Sequence, residues 1–172
     1  MIQTLTAATT RLFIGCLVIG SLGLTACANS STLADATSSA TRAPENVTVV
    51  SYRSPTCGCC GAWVEHMRSR GFDVEDNVTE DMDAIKAKYG VPDDLLSCHT
   101  AIASGYVIEG HTPADDVIRL LAERPDLAGI ATPGMPLGSP GMEAGDIREP
   151  YTVYGFRHQA DPIVFAEHPQ DS

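Results

Sequence analysis

Cys57, Gly58, Cys59 and Cys60 place three thiols within four residues, and Cys98 adds a fourth further along the chain. Cys57 and Cys60 have Cys-x-x-Cys spacing, which permits a dithiol–disulfide pair; Cys59 is an extra thiol that such chemistry does not require. The thiolate both attacks disulfides and binds metals, so the cluster carries two readings. The third sulfur favours metal. Three or four soft sulfur donors suit Cu(I) and zinc, and bridging thiolates let adjacent cysteines hold more than one Cu(I). A structural zinc site more often shows two separated Cys-x-x-Cys knuckles, whereas here the second half is Cys98 followed by His99.

Weaker donors surround these four. His99 and His111 flank a short hairpin and are candidates to complete a coordination shell, against the plainer reading of surface or capping histidines. Met135 and Met142 lie in a segment with no helical stripe to explain them, so thioether ligation stands beside simple gap filling. Met67 and Met82 are core residues by their spacing, and Trp63 is expected to pack beneath the cysteines. His66, His158 and His168 are expected to face solvent.

The elements that must position the cysteines follow from pattern. Residues 47–52 form a β-branched and aromatic strand that Pro55 ends, leading straight into the cluster. From Cys60, Trp63, Val64 and Met67 recur at helical spacing up to Gly71, so the first helix starts within the cysteines, where free N–H groups and the helix dipole lower thiol pKa values below about 8.5. Phe72, Val74 and Val78 alternate as a half-buried strand. Thr79 can cap a second helix with Met82, Ile85 and Tyr89 as its apolar stripe, stopped at Gly90 and Pro92. Strands over 100–103 and 106–109 join at Ser104-Gly105, and Thr112 caps a third helix with Pro113 at its first position and Val117, Leu120 and Leu121 buried. The order strand, helix, strand, helix, strand, strand, helix is the thioredoxin-like α/β arrangement. Residues 132–142, rich in Pro, Gly and Met, are a long loop, residues 151–156 an added edge strand, and the tail from Arg157 gives no clear signal.

Before the domain comes a leader. Arg11 precedes an apolar run over 12–24 that is short for a membrane span and shaped like a secretory signal. Leu24-Thr25-Ala26-Cys27 has the pattern of a bacterial lipoprotein signal, making Cys27 a lipidated anchor rather than a ligand; the alternative is cleavage at Ala26-Cys27-Ala28 and a soluble periplasmic protein. Both readings export the chain, and copper is the better expectation outside the cytoplasm. The organisation expected is a signal over 1–26, an anchor and Ser/Thr/Ala-rich tether over 27–45, the thioredoxin-like metal-binding domain over 46–127 and a C-terminal extension over 128–172. The formal charge of −11 becomes −12 without the leader and its lone Arg11, a field that repels nucleic acid and anionic membrane surfaces and attracts cations, or an acidic surface that merely keeps the domain soluble; charge alone does not decide between them.

The stretch Ser54-Pro55-Thr56-Cys57-Gly58-Cys59-Cys60-Gly61, the step Cys98-His99-Thr100 and the loop from Pro133-Gly134-Met135-Pro136 to Pro140-Gly141-Met142 together resemble the CopG-like family of envelope proteins found among bacterial copper-resistance genes. The resemblance spans about residues 47–156. It implies a thioredoxin fold whose C-terminal extension folds back toward the cysteines, a thiolate-bridged multinuclear copper site and a role in copper redox interconversion. Cys57, Cys59 and Cys60 match its Cys-x-Cys-Cys motif and Cys98 its fourth cysteine; the loop methionines match by position only. The expected function is therefore a periplasm-facing copper-binding lipoprotein, on the outer membrane rather than the inner, that holds Cu(I) and interconverts Cu(I) and Cu(II). Its expected partner is a copper efflux or copper-handling protein of the envelope. The alternative is a thiol–disulfide oxidoreductase acting through Cys57 and Cys60.

Overall fold

A computed structural model describes residues 42–170. The expected leader, Cys27 as the expected anchor and most of the expected tether lie outside the described residues. A seven-stranded mixed sheet runs in the order β2-β1-β3-β4-β5-β6-β7. Its strands are β1 (Thr48–Arg53), β2 (Asp73–Val78), β3 (His99–Ala103), β4 (Tyr106–Glu109), β5 (Gly129–Ala131), β6 (Tyr151–Phe156) and β7 (Ile163–His168). Three α-helices accompany them: α1 (Gly58–Ser69), α2 (Met82–Tyr89) and α3 (Ala114–Glu123). β1 pairs parallel with β2 and antiparallel with β3, and β3 forms a hairpin with β4 through Ser104 and Gly105, both at positive φ. The predicted run of elements from β1 to α3 is therefore present in order.

Cross-strand register sorts residues onto two faces, because side chains alternate along each strand. On one face Val49, Ala101, Ile108, Ile130 and Val153 join Trp63, Val64 and Met67 of α1 and Val117, Leu120 and Leu121 of α3 in the larger core. The other face carries Val107, Ala131 and Phe156, with Val91, Leu95 and the half-buried Tyr89 at the end of α2. Cys60, Trp63, Val64 and Met67 sit at i, i+3, i+4 and i+7, so the stripe that buries α1 begins with a cysteine. Trp63 is fully buried and donates its indole N–H to Thr112 O at 2.8 Å. Truncating such a side chain to Ala costs about 3–5 kcal/mol.

Several local expectations are corrected. α2 is capped by Asp81, whose carboxylate accepts from Ala84 N; Thr79 instead accepts from Asp81 N one turn earlier. Met82 is only half-buried, because α2 buries none of its residues fully. Thr112 does not cap α3, since its hydroxyl donates to Glu109 O; the N–H of Ala114 is received by His66 Nε2 at 3.2 Å. His66 is thus half-buried between two helices rather than solvent-facing, and His168 is engaged by Asp116 of α3 at 2.7 Å. Residues 151–156 form a strand, but an inner one. The short β5 is inserted beside β4, and β7, drawn from the tail that gave no signal, takes the edge. Among the described residues, no helix is long and apolar enough to cross a membrane.

Candidate metal centre

β1 delivers the chain to the cluster, and α1 begins inside it. Pro55 ends the strand, Cys57 takes the N-cap position with extended backbone, and no acidic residue stands in the first turn of α1 to compensate the positive end of its dipole. That end of the helix suits electron-rich sulfur. Cys60 is turned inward and fully buried, whereas Cys57 and Cys59 are half-buried. Cys57 and Cys60 are joined in a disulfide with Cα atoms 5.4 Å apart, while Cys59 and Cys98 are free thiols. Cys59 Sγ lies 3.4 Å from Cys57 Sγ.

The fourth sulfur comes from across the fold. Cys98 stands immediately before β3, and the Sγ atoms of Cys57, Cys59, Cys60 and Cys98 all lie within 4.8 Å of one another. Sulfurs bound at about 2.3 Å to one tetrahedral ion stand roughly 3.8 Å apart, so small side-chain adjustments would close the four around a soft metal once the disulfide is reduced. The donor set fits copper or zinc.

Cys98 also belongs to a second group, with one atom each of Cys98, His99 and His111 again within 4.8 Å of one another. His111 is fully buried, and its Nδ1 lies 2.8 Å from Pro140 O, a carbonyl that can only accept. Nδ1 therefore carries the proton. Burial holds the ring pKa below its ordinary value, so the imidazole stays neutral and its Nε2 lone pair faces Cys98 Sγ at 2.9 Å. A backbone carbonyl that fixes the tautomer of a histidine aimed at a metal position is the usual outer support of such ligands. Burial, aided by the charge of Cys59, pushes the Cys98 thiol up to about 11, so metal uptake there must displace a proton.

His99 is wholly buried between the rings of Trp63, at 4.5 Å between centroids, and His111, at 5.0 Å. Its Nδ1 lies 3.6 Å from Cys98 Sγ, its Nε2 has no hydrogen-bond partner among the described residues, and burial holds its pKa well below the ordinary histidine value. The plainer reading of His99 and His111 as surface or capping residues does not hold.

The loop over 132–142 folds back onto the cluster. Pro140 supplies the carbonyl to His111, and Gly141 at φ +85° lies so close to α1 that a Cβ would meet Cys59 O at 2.6 Å and Trp63 N at 2.8 Å. Gly134 is bridged to Ser97, beside Cys98. Met142 is half-buried next to Gly141, whereas Met135 is 53% exposed on a groove with Pro136, Tyr151 and Tyr154. The role of the Pro140 carbonyl could not be read from the loop motif, because a backbone acceptor leaves no residue-type signal.

A family model described as "Protein of unknown function, DUF411" matches residues 95–142, the segment running from Cys98 through His111 to Met142. Two solved structures of a protein described as copper resistance protein copG are similar to the chain, each at 46% identity with a TM-score of 0.68. The first, its form 2, covers 72% of this chain and 98% of its own; form 1 covers 71% and 97%. No curated protein sequence matches the chain.

Proposed function

The chain belongs to the CopG-like copper-resistance family, and from that premise we propose that it is an envelope copper-binding protein that holds Cu(I) among Cys57, Cys59, Cys60 and Cys98. The observation that carries this reading is the meeting of four sulfurs within 4.8 Å at the mouth of a strand–helix turn. Soft thiolates favour Cu(I), and the imidazoles of His99 and His111 beside Cys98 supply nitrogen donors that Cu(II) also accepts. One cysteine shared by both donor sets lets the site accommodate copper in either oxidation state, and the proposed Cu(I)/Cu(II) interconversion then requires an external one-electron donor or acceptor of the envelope. Met142 is the better placed of the two thioether candidates, through the seating of Gly141 on α1.

The strand order β2-β1-β3-β4, with β3 antiparallel to both neighbours, supports a thioredoxin-like core extended by β5, β6 and β7. A lipid anchor at Cys27, a periplasmic location and delivery to an envelope copper-efflux protein complete the reading; they rest on the leader pattern and the family.

The Cys57–Cys60 disulfide favours a second reading, thiol–disulfide exchange. It also sets a condition on the first, since two electrons and two protons must reduce the bond before all four sulfurs can bind metal. The two readings separate when reduced protein is equilibrated anaerobically with Cu(I) against a chromogenic chelator, beside an assay of insulin disulfide reduction. Copper binding that Cys59→Ser weakens by more than about 100-fold, exceeding the loss of an outer-shell partner, supports the copper reading. Metal-free protein with reductase activity intact in Cys59→Ser supports the exchange enzyme.

A further inference from the structure

Glu109 at the end of β4 is fully buried, on the face of the sheet opposite Trp63 and His99. Its Oε1 accepts from Lys86 Nζ of α2 at 2.5 Å and from the backbone N–H of Ser97 at 2.7 Å; its Oε2 accepts the hydroxyl of Thr100 at 2.7 Å. Lys86 Nζ also donates to Thr100 Oγ1 at 3.2 Å. Ser97 and Thr100 bracket Cys98 and His99. Two residues beyond Glu109 comes His111, joined through Gly110, whose N–H donates to His99 O at 2.9 Å and which has no room for a side chain against Ser97.

We propose that Glu109 and Lys86 are positioning residues of the metal centre, a buried ion pair that fixes the turn carrying Cys98 and His99 against the segment carrying His111. This rests on the copper reading of the site but assigns a role to two residues outside the sulfur cluster. A buried ion pair is a poor device for stability, since well-packed apolar replacements are often neutral or stabilising. What this pair supplies is direction. It ties α2, the Ser97 amide and the Thr100 hydroxyl to one carboxylate, and a change in any of them turns the Cys98 sulfur relative to the other three.

The test uses reduced full-length protein carrying Glu109→Gln, and the double substitution Lys86→Met with Glu109→Leu, which removes both charges together and keeps the volume filled. Cu(I) affinity should fall about 10- to 100-fold in both, as for lost outer-shell partners, while the double variant melts no more than a few degrees from wild type. Glu109→Asp with Lys86→Arg should recover part of the loss. A second readout needs no copper: the alkylation rate of Cys98 relative to Cys59 in the same metal-free molecule should rise several-fold in the double variant as Cys98 leaves His111. Unchanged copper affinity together with an unchanged alkylation ratio in a folded double variant overturns the proposal. A wild type that takes up no copper removes the copper reading instead, and the alkylation ratio still decides whether the pair positions Cys98.

Discussion

The two halves of the metal centre are built in different ways. The turn over 57–60 is local: one strand end and one helix start bring three sulfurs together within four residues, with no histidine among them. The half made by Cys98, His99 and His111 is assembled from distant parts, held by Pro140 of the returning loop, by the ring of Trp63 and by Glu109 and Lys86 on the opposite face of the sheet. The first half offers soft donors at a helix end, whereas the second offers mixed donors, a half-buried thiol beside two buried imidazoles. Cys98 is the only residue common to both groups of possible ligands among the described residues. On the proposed copper reading, the turn supplies most of the soft donors, and the assembled half supplies the oriented sulfur and nitrogen donors on which geometry and preference between Cu(I) and Cu(II) would depend.

The sharpest break in this comparison is at the shared residue. Cys98→Ser should weaken Cu(I) binding by more than about 100-fold, at least as much as Cys57→Ser, and should also remove any Cu(II) absorption band contributed by a thiolate; chelator competition and visible spectroscopy check both. A Cys98→Ser protein that binds copper like wild type would make the second half irrelevant.

Smaller is the expected effect of His111→Gln. Cu(I) affinity should fall by about tenfold, or 1.4 kcal/mol, because the sulfurs remain, while Cu(II) retention should suffer more than Cu(I) retention. Equal losses for both ions would erase the division of labour between the halves.

A further effect concerns pH in the metal-free protein. Burial holds the pKa values of His66, His99 and His111 below 6.5, so the folded state favours their neutral forms. That contribution is fully present above the unfolded value near 6.5 and is lost as pH falls below it, because the unfolded chain then binds more protons. His99, wholly buried, contributes up to about 1.4 kcal/mol per pH unit. Denaturation midpoints at pH 7.5 and 5.5 should show this loss, and His99→Gln should flatten the slope; a slope unchanged by that substitution contradicts the buried neutral ring.

The same contrast explains what the sequence made legible. Cys57, Cys59 and Cys60 declare themselves by spacing, and the elements around them follow from period and from Gly and Pro punctuation, so the run from β1 to α3 could be read in order. Cys98 and His111 could be named as candidates from residue type, but their meeting depends on sheet register and hairpin placement, which no local pattern carries. Glu109 carries no sequence signal for its burial, because its partners come from another helix, a neighbouring strand and a backbone amide. β5 has only three residues and β7 forms only by pairing with β6, so neither presents a periodic signal of its own. The starts of α2 and α3 differ from expectation because several side chains near each could serve: a local bond to the Ala84 N–H makes Asp81 the cap of α2, and tertiary contact brings His66 to the Ala114 N–H of α3.

X-ray absorption at the copper edge of reduced, Cu(I)-loaded protein tests the central claim most directly. Convergence of the four thiolates predicts a first shell dominated by sulfur near 2.3 Å, with a short copper–copper vector if thiolates bridge and with sulfur scattering reduced in Cys98→Ser. A first shell of nitrogen and oxygen, or a sulfur shell unaltered by removing Cys98, would contradict it.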